Sequence, residues 1–278
     1  MSTFAMHGAR MHSVLAHAPT AWYRKTMCTV VILRRPGHDW PILLAANRDE
    51  LVDRPWQPPA RHWPDRKNIR AGIDELAGGT WLGVNDEGMV AGILNRRESL
   101  GPDDRLRTRG ELVLEALDHA DAADAVAALA DLDGNSYRSF NMVVADNRDA
   151  YWLRSLGATA DGRIEVHELS AGLVMLTAHD IDASASARTR TYLPRFLAAP
   201  PPEPSTDDWT SWEKLLAGRE HAPDANAGEA MTVVTDYGFG TLSSSLIALP
   251  AMHRECVGTV YRFADGRPGE APYYAVAK

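Results

Sequence analysis

The sequence predicts an α+β fold of two antiparallel sheets with helices on their outer faces. Three observations carry this. Strand-like segments come in a run, then helix-like segments, then strands again, which is not the strict alternation of a doubly wound parallel sheet. The turns between neighbouring strand segments are short, as in hairpins. Composition is that of an ordinary globular chain: 278 residues, 45% hydrophobic and 24% charged, enough to build one large core.

Residues 1–26 contain Arg10, Arg24 and Lys25 and no acid. They show neither strand alternation nor a sustained helical stripe, so they read as a disordered extension or a start assigned too early. His7, His12 and His17 do not stack on one helix face and receive no role. The remainder, 27–278, reads as a single domain. Residues 28–33 form a strand by β-branched content, 36–39 a turn, and 41–46 a second strand, making a hairpin. Residues 54–68, rich in Pro, Arg and Trp, read as an ordered loop. Strands at 80–84 and 89–94 flank a turn at 85–88. Thr108 and Glu111 make a Thr-x-x-Glu capping box before a helix whose Val113, Ala116, Leu117 and Ala120 share a face. The Ala-rich stretch 121–132 is a second helix. Strands follow at 140–146, 150–155, 163–168 and 172–177, then a helix at 187–198. The proline run 199–204 is a stiff surface connection. Residues 208–217 are helical, and strands return at 244–249, 257–263 and 271–276.

Several functions are excluded at this level. Lys plus Arg is 29 and Asp plus Glu 37, giving a net charge of −8, a poor start for general nucleic-acid binding. No apolar run is long enough for a membrane-spanning helix or a secretory signal, so the expected compartment is the cytoplasm. Two cysteines, Cys28 and Cys256, make no disulfide framework, and Cys256 reads as a packed thiol. Without Cys-x-x-Cys or His-x-x-x-His spacing, neither a metal nor an organic cofactor is expected. Gly238-Phe239-Gly240 lacks the third glycine of a dinucleotide fingerprint, and Ser211-x-x-Lys214 lacks its partner motif. The sequence does not set the oligomeric state.

Cys28 is the sharpest chemical feature. It opens a strand directly after Met27. Were the chain to begin at Cys28, one residue would carry a nucleophile and a base. The thiol has a reference pKa of about 8.5 and the α-amine about 7.7–8.0, so the amine can take the thiol's proton near neutrality. The bland alternative is a small buried apolar residue, the usual state of free cysteine. Asn47, Arg48, Asp49 and Glu50 end the second strand, which the hairpin brings alongside the first. A guanidinium near sulfur favours thiolate. Asp49 can hold Arg48 or receive an α-ammonium. The alternative is a strand-end turn with solvated charges.

Met27-Cys28-Thr29-Val30 followed by Ala46-Asn47-Arg48-Asp49-Glu50 resembles the NRDE family, also called the transport-and-Golgi-organisation-2 family. The resemblance continues through 78–85, 88–95, 107–110 and 140–146, and weakly to Gly240-Thr241 and Ser243-Ser244-Ser245. It implies a four-layer αββα sandwich, N-terminal-nucleophile hydrolase-like, akin to cholylglycine hydrolases and penicillin V acylases. It also implies Cys28 as nucleophile, Arg48 and Asp49 on the next strand, and Asn95 at the oxyanion. Asn141 is a family-motif residue. Two departures stand out. The amide hydrolases place an Asn where this chain reads Thr177-Ala178-His179-Asp180, and an Arg where it reads Thr241-Leu242-Ser243. Asn141, His179 and the serine run either replace those groups or the hydrolytic set is incomplete.

The candidate catalytic residues are therefore Cys28, Arg48, Asp49, Asn95 and Asn141, with Asn47, Glu50, Trp81 and His179 at the substrate. Each has a plainer reading. Asn95 is also a turn former, Asn141 a cross-strand hydrogen-bonding residue, and His179-Asp180 a loop pair. Trp56, Trp63 and Trp81 either wall an apolar groove or pack in the core. Arg105, Arg107 and Arg109 either meet an anion or solvate a loop. The leading expectation is a cysteine hydrolase of a small-molecule amide or thioester bond. The alternative is a carrier of haem or acyl thioesters that keeps the fold without turnover. A structural partner is a third reading, with nothing positive behind it.

Overall fold

In the computed structural model, residues 28–97, 99, 103, 105–157, 160–254 and 257–277 are described. The leader and Cys256 lie outside them. In chain order the strands and helices are β1 (Thr29–Arg34), β2 (Ile42–Leu51), β3 (Trp56–Ala60), β4 (Ile69–Asp74), β5 (Leu82–Asn85), β6 (Val90–Asn95), α1 (Gly110–Leu117), α2 (Ala122–Ala130), β7 (Phe140–Ala145), β8 (Ala150–Ser155), β9 (Ile164–Glu168), β10 (Gly172–Leu176), α3 (Ala187–Ala198), α4 (Thr210–Leu216), β11 (Phe239–Leu249), β12 (Val260–Ala264) and β13 (Tyr273–Ala275).

One sheet runs β10-β1-β2-β11-β12-β13 and the other β3-β4-β5-β6-β7-β8-β9. Neighbours within both pair antiparallel. Strand alternation then builds the layers. Val30, Ile32, Ile42 and Leu44 face inward and meet Leu82, Leu94 and Val143 of the second sheet. Val31, Leu33, Leu43 and Ala45 face outward onto Tyr192 and Phe196 of α3 and Trp212 and Leu216 of α4. Met142, Val144 and Leu153 of the second sheet pack on Val113, Leu117 and Val126 of α1 and α2. Each such fully buried aliphatic side chain contributes roughly 1.5–3 kcal/mol by leaving water. The result is the expected αββα sandwich, with both central sheets covered.

The sequence reading needs correcting in four places, the first being β11, which begins at Phe239 and not at residue 244. Segment 54–68 is not all loop, because β3 occupies Trp56–Ala60. Pro58 and Pro59 concealed it; prolines are tolerated there since β3 is an edge strand, and its pairing with β4 is irregular between Gln57 and Ala60. β4 is a strand that the sequence does not predict, because Arg70 interrupts its apolar pattern. The capping box does not form: α1 has Arg109 as its cap with no side-chain cap bond. Glu111 instead pairs with Arg107 at 2.6 Å and accepts from the Tyr137 hydroxyl at 2.7 Å.

Candidate active site

Cys28 stands immediately before β1, half-buried against the core between the sheets. Register sets Thr29 opposite Asn47, so the sulfur meets the β2 backbone at Asp49. The Asp49 N–H donates to Sγ at 3.4 Å, and the thiol lies 3.6 Å from the Asp49 carbonyl oxygen. Burial, and then the Asp49 carboxylate, push the thiol up to about 12, against the pull of the Asp49 backbone hydrogen bond and, after it, of Arg48. The cysteine is therefore held as thiol within the intact chain.

Arg48 lies on the same inner face and is 5% exposed. Its guanidinium carbon sits 4.2 Å from the Trp81 ring centroid and 5.4 Å from that of Trp56, a cation–π contact with each of two indoles that stand edge to face. Its Nη2 is 4.0 Å from Asp74. Its Nη1 is buried with no hydrogen-bond partner among the described residues. Burial lowers the Arg48 pKa against the pull of Glu50 and the thiol. Trp81 fits there because β4 carries Gly72, where a Cβ would fall 2.2 Å from the indole. Cys28, Arg48, Trp81, Leu94, Ser243 and Ser245 line a cavity of about 10 Å³, the room of a single water.

Asn47 and Asp49 alternate to the other face of β2, toward the helices. Asp49 accepts from Arg188 at 3.0 Å and from Thr241 at 2.6 Å, and Arg188 also donates to Thr29 Oγ1 and the Gly228 carbonyl. Burial raises the Asp49 pKa, with Arg188 and Thr241 opposing it. Asn47 donates to the Leu216 and Met231 carbonyls and accepts from Ser244. The quartet is thus no solvated turn: Asn47, Arg48 and Asp49 are 1%, 5% and 5% exposed. Glu50 is half-buried, accepting from the Leu51 N–H with Arg54 3.7 Å away.

The remaining candidates do not line the cavity. Asn95 closes β6 opposite Phe140; alternation sends its neighbour Leu94 into the inter-sheet core and Asn95 to the other face. Asn141 reaches from β7 to the chain after β10, donating to the Thr177 and His179 carbonyls at 2.8 and 2.6 Å. Its Oδ1 accepts from Arg96 and Trp152, so the amide is fully occupied. His179 is half-buried, and burial followed by Arg97 lowers its pKa. Asp180 pairs with Arg96 and Arg154.

Of the tryptophans, Trp56 and Trp81 meet at 5.6 Å, while Trp63 packs with the α1–α2 core. The three arginines do not converge. Arg105 goes to Asp103, Arg107 to Glu111, and Arg109 to Ser99 and the Ser139 carbonyl. Sequence reasoning missed Arg188. Its one signal was a cation in the first turn of a helix, where the dipole disfavours it.

Among the described residues no helix is long and apolar enough to cross a membrane, and no group of three or more His, Cys, Asp or Glu side chains could hold a metal ion. The sandwich is similar to the structure of a Caenorhabditis elegans N-acylethanolamine-hydrolyzing acid amidase ortholog. The TM-score is 0.53 at 13% identity, over 90% of this chain and 100% of that one. That likeness is one of fold, and the fold is N-terminal-nucleophile-hydrolase-like. Among curated relatives, the Homo sapiens transport and Golgi organization protein 2 homolog is 37% identical over 112 residues, and the Mus musculus homolog 34% over 108. Each match spans 38% of this chain and 38% of the relative's length. The family profile described as transport and Golgi organisation 2 matches residues 27–236, a span that takes in Cys28, the β2 quartet and Arg188, and the chain belongs to that family.

Proposed function

We propose that this protein is an N-terminal-cysteine hydrolase of a small-molecule amide or thioester bond, working in the cytoplasm. The observation that carries the reading is Cys28 Sγ held against the β2 backbone at Asp49, on the face that buries Arg48. The fold likeness to an amidase supports it at the level of topology. In this reading the active domain begins at Cys28, and residues 1–27 are absent from the working enzyme. The freed α-amine is neutral in part at about pH 7–8 and can accept the thiol proton; the ammonium so formed is a cation beside sulfur that stabilises the thiolate against burial and the Asp49 carboxylate. Cys28 then attacks the carbonyl carbon, and its α-amine takes the thiol proton and returns it to the leaving group. Asp49, clamped by Arg188 and Thr241, fixes the β2 backbone that cradles sulfur and faces the new terminus. Trp81 and Trp56 wall the acyl group, while Glu50 and His179 stand nearer the mouth; Asn95, on the other face of β6, takes no part at the oxyanion. Asn47 and Asn141 act by positioning β2 and the segment 177–179.

The carrier reading has less behind it. The cavity at Cys28 does not take a haem. A groove of about 660 Å³ lies on the outside of α3 and α4, walled by Tyr192, Arg195, Ser211, Lys214, Arg219 and Glu220. Of those side chains Tyr192 alone is of a type that ligates haem iron, and its hydroxyl is already committed to the Glu220 carbonyl.

The test is the intact mass of protein isolated from its native cells, followed by labelling with a carbonyl electrophile. The expected mass begins at Cys28, and the label sits on Cys28 and not on Cys256. A chain that stably retains residues 1–27 with an inert Cys28 would overturn the proposal.

A further inference from the structure

We propose that Ser243 Oγ and Arg48 Nη1 together seat the carbonyl oxygen of the bond that Cys28 attacks. The inference rests on the hydrolase reading and adds to it the identity of the oxyanion donors. Both atoms are buried, on residues 1% and 5% exposed, and neither has a hydrogen-bond partner among the described residues. Buried polar side chains without partners are rare. Here two of them line the same cavity as Cys28, one with room for a single oxygen-sized group.

The placement of Ser243 has its own cause. β11 pairs with β2 with an irregularity between Thr241 and Ser243. In an unbroken strand these two residues would share a face. Instead Thr241 donates to Asp49 on the helix side, and Ser244 bonds Asn47 on that same side. Leu242 is the extra residue that turns the phase and aims Ser243 inward, directly opposite Arg48 in register. A bulge that redirects one hydroxyl into a cavity holding a cysteine and an unpartnered guanidinium N–H makes a two-donor seat.

The chemistry balances. As the Sγ–C bond forms, the carbonyl π pair moves onto oxygen, which accepts from the Ser243 O–H and an Arg48 N–H. When that pair returns, the C–N or C–S bond breaks, and the departing nitrogen or sulfur takes the proton that the α-amine removed from the thiol. Water then adds to the acyl carbon with its oxyanion in the same seat, the α-amine taking the water's proton; as the C–Sγ bond breaks, that proton passes to the departing sulfur and the acid is released with Cys28 restored. Ser243 is thereby a catalytic residue, touching a reacting atom.

Two electrophiles separate this role from a structural one. 4-Nitrophenyl acetate acylates through an oxyanion, whereas iodoacetamide alkylates by direct displacement and needs no seat. The protein used is the full chain after maturation, with its N-terminus at Cys28 checked by mass. Ser243→Ala is expected to slow acetyl-Cys28 formation by about 100- to 1,000-fold, and to leave alkylation of Cys28 at the parental rate. Ser243→Thr, which keeps the hydroxyl, restores most of the acylation. Unchanged acylation in Ser243→Ala, or equal slowing with both reagents, overturns the seat and leaves the hydrolase reading standing. A parent protein that iodoacetamide alkylates but the acetate never acylates overturns both.

Discussion

A cysteine held as thiol up to about pH 12 is a poor nucleophile, so the intact chain and the processed one must differ sharply. In the chain that keeps residue 27, alkylation of Cys28 by iodoacetamide is expected to be slow at neutral pH and to climb only at strongly alkaline pH. Removal of residues 1–27 should move the rise downward, and a pH–rate profile of each form measures the shift. The same burial has a stability sign. Below pH 9.0 folded and unfolded chains both keep the thiol proton. Above it the unfolded chain loses the proton while the folded chain retains it, so stability falls as pH rises from 9.0 toward about 12. The urea midpoint of the intact chain should therefore drop more steeply across that window than the midpoint of Cys28→Ala. Parallel slopes would remove burial as the cause. On the other face of β2, Arg188→Met leaves the Asp49 carboxylate, 0% exposed, without its cation and should cost about 3–5 kcal/mol. The double variant Asp49→Asn/Arg188→Met should cost less than the sum of the single changes, by urea unfolding. The chemical types at 28 and 47–50 were legible in the sequence. Their division between two faces was not, because a strand buried on both sides is normally apolar and this one pairs each polar side chain separately.

At the scale of elements, β1 and β2 were readable, whereas the half of β11 that carries Thr241 and Ser243 was not: the apolar run starts at 246, and the Gly-Thr-Leu-Ser stretch before it lacks the strand pattern. β1 and β2 announce themselves by β-branched and aliphatic runs joined through a Pro-Gly turn. β3 and β4 did not, since prolines on an edge and a buried Arg70 both break the usual pattern. Yet β4 sets the geometry at Cys28. Its Gly72 leaves the space into which the Trp81 ring slides, and that ring stacks on Arg48. Gly72→Ala should cost about 1–3 kcal/mol by overpacking. It should also displace the indole, loosen the guanidinium from the thiol and slow Cys28 alkylation at fixed pH. Gly92→Ala is the control. The Cβ there meets the flexible Leu82 Cδ1 at 2.8 Å, and the cost should be smaller with alkylation unchanged. Equal behaviour of the two variants would mean that Trp81 does not position Arg48. The proposed capping box failed for a related reason. Arg107 and Tyr137 compete for Glu111 and offer it a charged and a phenolic partner in place of one backbone N–H.

For the whole molecule, the question is what keeps two sheets in fixed register where the site lies. The sandwich core is aliphatic and gives cohesion without direction. Direction comes from Asn141, whose amide crosses from β7 in one sheet to the segment after β10 in the other. Because Val30 pairs with Leu176, that segment runs beside the start of β1, and a clasp there holds the rim of the Cys28 cavity. Arg96 and Trp152 complete the amide's valence, and the Arg97 N–H donates to the Ala178 carbonyl within the same segment. Asn141→Leu keeps the volume and removes the bonds its amide makes to Thr177, His179, Arg96 and Trp152, leaving the Arg97–Ala178 backbone bond without that support. At about 1 kcal/mol net for each bond, plus the stranded carbonyls, the loss should be on the order of 3–5 kcal/mol. The change should also be local in its dynamics. Amide exchange at Arg97 and His179 should quicken, while exchange at the end of β2 and β11 remote from the Cys28 cavity, where Ile42 pairs with Leu249 and Leu44 with Ile247, should track global stability alone. Uniform acceleration across both sheets would make Asn141 an ordinary core residue. Acceleration confined to the rim, with acylation of Cys28 impaired beyond the loss in stability, would make it the residue that registers the two sheets around the thiol.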